Sequence, residues 1–216
     1  MNPESGLADQ GGVLTPSVPR DIGARTQQQR IVEAMANSCA EKTFSTTTIA
    51  DVVGRANISR ATFYKHFANK RECLDAAVIS FIEELEAAAV DGQSGAEARP
   101  AAIRGAIAAV LELLAAKPAY AKLVLLEIPV LDPAIIARHG ELTVDGLKEQ
   151  WEVGKGGKRA GADARIAFGR AHLLAADYLA ADRADQLPEL LPEIVYILCL
   201  PFIGHEAALE QVKLSR

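Results

Sequence analysis

Arg60, Ala61, Tyr64 and Lys65 lie within "SRATFYKHFANKRECL", residues 59–74, where three aromatic rings sit beside Arg60, Lys65, Lys70 and Arg71. On a helix turning about 100° per residue these four share one arc, while Phe63 and Phe67, with His66 beside them, belong to the other side. One side can pack and the other can meet a nucleic-acid duplex. Arg60 can donate twice to a guanine edge, and the Ala61 methyl can touch that of thymine. Thr62 and Tyr64 offer hydroxyls to phosphates or bases. Lys65 and Lys70 can neutralise phosphates, Lys70 at the start of a helix whose N–H groups can join it. Thr48 can cap a helix and also donate to phosphate.

These residues need rigid carriers. "TTIADVVGRANISRATFYKHF" reads as two short helices joined by a turn. Thr48 and Asp51 have capping-box spacing ahead of a helix over residues 49–56 that buries Ile49, Val52 and Val53. Asn57 is a helix stop, since Asn tolerates the left-handed conformation. Ser59 caps a third helix ending near Phe67. Asn69 with Glu72 makes another box, starting a long helix to about Val90. Upstream, Ile31, Ala34, Met35 and Ser38 repeat at helical spacing from Arg25 to near Lys42. Taken singly, Tyr64 reads equally as half-buried packing, His66 as a structural histidine, and Arg60 and Lys65 as solvated charges. Their joint placement on one capped helix favours DNA.

The whole chain of 216 residues is half apolar and carries a net charge of −5. That charge is uneven. Residues 20–75 hold nine Lys/Arg against six Asp/Glu, so a basic piece sits on an acidic body. The body can attract a cationic effector or simply serve solubility. Cys39, Cys73 and Cys199 form no CxxC pair and read as small buried residues of a reducing compartment. No HExxH, ExxH, Gly-rich phosphate loop or nucleophile elbow is present, and the histidines are scattered; this is not an enzyme pattern, and no metal or cofactor is expected. The first residues lack the apolar core of a signal peptide, and the apolar run at 194–204 is short and contains Pro201. A cytoplasmic protein without membrane contact is expected.

Nothing alternates like a strand, so the fold expected is all-α. Residues 1–23 read as a disordered arm, 24–70 as the helix-turn-helix unit and 71–216 as a larger helical domain. The latter has helices over 101–116, 118–127, 164–181 and 190–200, a helix or pair over 133–153, a turn bracketed by Pro129 and Pro133, and a loop at "GKGGKRAGAD". Pro201 ends or kinks the last long helix. His139 and His205, each beside a glycine, read as turn or cap residues.

Three segments together, "RIVEAMANSCAEKTF", "TTIADVVGRANIS" and "RATFYKHFANKRECL", resemble the DNA-binding domain of tetracycline-repressor-type (TetR family) transcriptional regulators. The resemblance covers about a fifth of the chain. It implies base contacts from Arg60, Ala61 and Thr62, with Ala50 close to the groove but without a donor. It implies phosphate contacts from Thr48, Tyr64, Lys65, His66 and Lys70, which moves His66 from a core residue to a backbone contact. It further implies a homodimer joined through two late helices, a pseudo-palindromic double-stranded operator, and repression relieved by a small-molecule effector. Pocket candidates are Tyr120, Glu127, Trp151, His172 and Tyr178, each of which reads equally as packing, surface or dimer contact. Thr43 and Asn57 stand where the family favours Gly, and Cys39 where an aromatic often packs. A β-branched Thr in the left-handed region would be strained, so the first helix is expected to end differently. An α-helical enzyme and a membrane-binding carrier with a basic head are the competing readings.

Overall fold

The computed structural model describes residues 20–96, 99–132, 141 and 158–215, with no strand among them. The order is α1 (Arg20–Lys42), α2 (Ile49–Ala56), α3 (Arg60–His66), α4 (Lys70–Gln93), α5 (Arg99–Ala116), α6 (Pro118–Lys122), a π-turn (Leu123–Glu127), α7 (Ile128–Leu131), α8 (Lys158–Ala180), a 3-10 segment (Ala184–Leu190) and α9 (Leu191–Lys213). Trp151, His139 and the helix expected over 133–153 lie outside the described residues, as does the arm up to residue 19. α1 starts at Arg20, so the last residues assigned to the arm are helical.

The caps of the small N-terminal unit follow the sequence. Thr48 and Asp51 form both arms of a capping box. Ser59 Oγ accepts from the Thr62 N–H at 3.0 Å. Asn69 Oδ1 accepts from the Glu72 N–H at 2.9 Å, while the Glu72 carboxylate reaches one residue further back, to the Ala68 N–H at 2.6 Å. Asn57 takes φ 52°, a left-handed stop. Thr43 also adopts the left-handed region, at φ 77°. The expectation that a β-branched residue would force a different ending is therefore corrected. α1 closes at Lys42 with the Thr43 N–H bonded to the Cys39 carbonyl at 2.8 Å, and the strain is borne there.

Ile31, Met35, Val52, Phe63, Cys73 and Leu74 form the centre of the first core. Phe67 joins them by leaving the helix. As the C-cap of α3 it has φ −139°, and this extended backbone turns its ring inward. The first core also contains Leu123 and Ile128 from far along the chain, whereas Ala121 and Val124 belong to the second, with Phe81, Leu111, Leu179 and Leu187. The segment 118–131 thus has one side in each core. It does not end near Glu127 with a turn from Pro129, as expected; it runs on to Leu131 by widening into the π-turn, where the Ile128 N–H bonds to the Leu123 carbonyl five residues back.

α4 and α5 form the most extensive helix pair. Their crossing is made by glycines: a Cβ on Gly105 would lie 1.9 Å from the Gly92 carbonyl oxygen. α9 is longer than the apolar run suggests. Within Ala184–Lys213 an 18-residue window has a mean hydropathy of 1.6, apolar enough by length and composition alone to cross a membrane. α9 is broken by Gly204 at φ 78°, ψ 176°, three residues after Pro201. The end of α9 then folds back, so that Ala208 packs with Val195, Cys199 and Ile103. His205 bonds through Nδ1 to the Tyr196 hydroxyl at 2.8 Å across the bend. All three cysteines are buried free thiols, and burial pushes Cys39 and Cys199 up to about 11 and Cys73 to about 12.

Candidate nucleic-acid interface

α3 divides as its sequence pattern requires. Phe63 is fully buried, and Arg60, Ala61, Tyr64 and Lys65 are exposed. Tyr64 is 53% exposed, its ring edge-on to Phe63 at 5.5 Å between centroids. Thr62 is half-buried, and its hydroxyl lies 2.9 Å from Ser59 Oγ. Ala50 and Thr48 are exposed at the start of α2, on the same small unit.

Two cationic candidates have partners within the chain. His66 is half-buried, with Nε2 3.1 Å from Gln27 Oε1 on α1. Lys70 Nζ donates to the Phe44 and Thr47 carbonyls, both at 2.7 Å, and sits 4.2 Å from the centre of the Phe44 ring. An ammonium has three N–H groups, so two of those on Lys70 brace the turn between α1 and α2. This brace was not visible in the sequence, since nothing in the spacing of residues 44, 47 and 70 announces it. Asp51 accepts from Lys42 at 2.6 Å and from Thr48, and Lys42 first, then Thr48, hold its carboxyl well below the usual carboxylate range.

Four of the pocket candidates, Tyr120, Glu127, His172 and Tyr178, lie among the described residues. Tyr120 stacks on Phe81 at 5.2 Å and lines a groove of about 450 Å³ with Val32 and Glu33 of α1, Glu84 of α4 and Lys117. Burial, with Glu33 and Glu84 adding to it, pushes the Tyr120 phenol up to about 12. Glu127 points away from the body core and accepts from the Phe44 N–H at 2.9 Å. Burial lowers the basicity of His172 on α8, with the Leu125 backbone beside it acting in the opposite direction. Tyr178 carries the Arg183 guanidinium 4.1 Å over its ring. Among the described residues no cluster of His, Cys, Asp or Glu could hold a metal ion.

Two capped helices joined by a left-handed Asn, the second presenting a cationic polar face on a phenylalanine base, define a helix-turn-helix unit within an all-α chain. Residues 31–77 match the family model of bacterial regulatory proteins, tetR family. The fold is similar to that of the fatty acid degradation regulator FadR from Bacillus halodurans, at 17% identity and TM-score 0.69, covering 83% of this chain and 96% of that one. It is similar also to a TetR-like transcriptional regulator from Rhodococcus sp. RHA1, at 15% identity and TM-score 0.65 over 82% and 96% of the two chains. A tetR-family transcriptional regulator from Streptomyces coelicolor gives 14% identity and TM-score 0.63 over 88% of each. No curated protein matches by sequence. Residues 31–77 thus match a family of DNA-binding regulatory proteins, and the fold of the chain is the one these regulators share.

Proposed function

We propose that this chain is a cytoplasmic repressor that binds a pseudo-palindromic operator as a homodimer and is released by a small-molecule effector. The observation that carries the reading is the two-sided α3: Arg60, Ala61, Tyr64 and Lys65 outward, Phe63 buried beneath. Arg60 and Ala61 read bases, with Thr62 beside them and Ala50 close to the groove. Thr48, Tyr64 and Lys65 hold phosphates, as do His66 and Lys70 through the donor capacity their internal partners leave. One helix of this length reads only a few bases, so two copies set about 34–36 Å apart are needed. α8 supports the pairing. Ile166 and Leu173 lie one heptad apart and are each 64% exposed, and a Cβ on Gly169 between them would meet nothing within 4 Å. A helix of a second copy fits such a face. Residues 24–70 then act as the reading head and 71–216 as the effector-binding and dimerisation body. A ligand that fits the body better when the heads are wrongly spaced lowers operator affinity through that difference alone.

Selection of duplexes from a random pool tests this. The expected product is a two-fold-symmetric motif, with binding that weakens as salt rises. Arg60→Ala then costs about 1–3 kcal/mol at one base position of each half-site. A pool that never enriches, or enriches without symmetry, refutes the reading.

A further inference from the structure

Glu127 is a carboxylate of the body that reaches the head across a long stretch of chain. It accepts from the Phe44 N–H at 2.9 Å, while Lys70 takes the carbonyl of the same residue and lies over its ring. Phe44 is therefore held on both sides of its backbone. The turn so held is a strained one, because Thr43 immediately before it has φ 77°. Thr43 also anchors the entrance to α2, since its carbonyl accepts from the Thr47 N–H at 3.0 Å and from Thr47 Oγ1 at 2.7 Å.

The position of Glu127 depends on the π-turn, and the π-turn on Pro129. In an ordinary helix the Leu125 carbonyl would accept from residue 129, which as a proline has no N–H. α8 packs against this turn, with His172 beside the Leu125 backbone. His172 thus sets a helix of the body against the turn that ends in Glu127. The same turn sits between the two cores, with Leu123 in one and Val124 in the other.

We propose that Glu127 is the body's hold on the reading head: His172 on α8 fixes the π-turn, the π-turn delivers the Glu127 carboxylate, and that carboxylate pins the strained turn leading into α2. Repacking of the body around His172 loosens or tightens this hold without touching the head. As a route of regulation the relay rests on the function proposed above, but its physical core does not.

Amide hydrogen exchange of the full chain, read by NMR at Phe44 without DNA, tests it. Glu127→Met, similar in length but without an acceptor, speeds exchange at Phe44 about tenfold, and Glu127→Gln, which keeps a carbonyl, retains most of the protection. His172→Phe speeds Phe44 several-fold although residue 172 does not touch it, and His172→Gln, which keeps an N–H donor, stays near wild type. Unchanged Phe44 exchange in Glu127→Met overturns the clasp, and unchanged exchange in His172→Phe overturns the relay. Equal acceleration at Val52 and Phe63 also overturns it, since that is loss of packing. If His172→Phe does not fold, His172→Leu carries the same test. A chain that selects no operator yet shows these exchange effects retains the clasp and loses the regulatory reading.

Discussion

Thr43→Gly should stabilise this protein, although it removes a side chain with partners. A β-branched residue in the left-handed region costs about 1–3 kcal/mol, and Gly at that φ costs nothing sterically. Against this gain stand two terms. The Thr43 hydroxyl lies 3.0 Å from Ser45 Oγ and 3.2 Å from Thr46 Oγ1, both exposed, and such bonds contribute roughly 0.5 kcal/mol each. Gly also loses about 0.5–1 kcal/mol more backbone entropy on folding. With strain in the upper half of its range, the balance is about 1 kcal/mol in favour of Gly. That raises the melting temperature by about 2–4 °C for a chain of this size. Thr43→Ala, which sheds the branch but keeps a Cβ at the same φ, should fall between wild type and Gly. Urea unfolding followed by circular dichroism gives the free energies directly, with unchanged slope as the check that only stability moved. A loss of stability in Thr43→Gly, or a gain in Thr43→Ala that exceeds it, would refute a left-handed Thr at the end of α1.

Gly105→Ala should destabilise by about 1–3 kcal/mol, because the new methyl meets the Gly92 carbonyl and forces α4 from α5; an unchanged midpoint in urea would show that these helices do not touch there. Lys70→Met leaves the Phe44 and Thr47 carbonyls without their donor and should cost about 2–3 kcal/mol; an unchanged midpoint in urea would show that this brace does not form. His172 is less basic folded than free, so its contribution is present above the unfolded value of about 6.5 and lost as pH falls through the lower folded value. The stability of wild type relative to His172→Gln should therefore decline on acidification from about pH 6.5, and a flat difference between pH 5 and 7.5 counts against burial of that ring. Asp51 has the same sign at lower pH, and Asp51→Asn should flatten the acid limb of unfolding below about pH 4.

The sequence by itself determined the local grammar of the head. Thr48 with Asp51, Ser59, Asn69 and the left-handed Asn57 act within four residues of their targets, so spacing alone locates them. That Phe63 falls outside the arc shared by Arg60, Ala61, Tyr64 and Lys65 follows from the helix pitch. The same locality let Thr43 be recognised as ill suited to a left-handed turn. It did not show that the turn is kept, because that outcome depends on the hydroxyls around it and on Glu127, 83 residues away. Pro129 was legible as an interruption, but whether a helix stops or widens at a proline is settled by what packs on both of its sides. Lys70 and His66 have the charge for phosphate, and nothing in their spacing shows that Phe44, Thr47 and Gln27 already share their donors. Only the tertiary structure decided which long-range partners satisfy these polar groups. A buried donor or acceptor is paired by whichever neighbour folding brings within about 3 Å, and proximity between distant segments is not written in any short stretch of sequence.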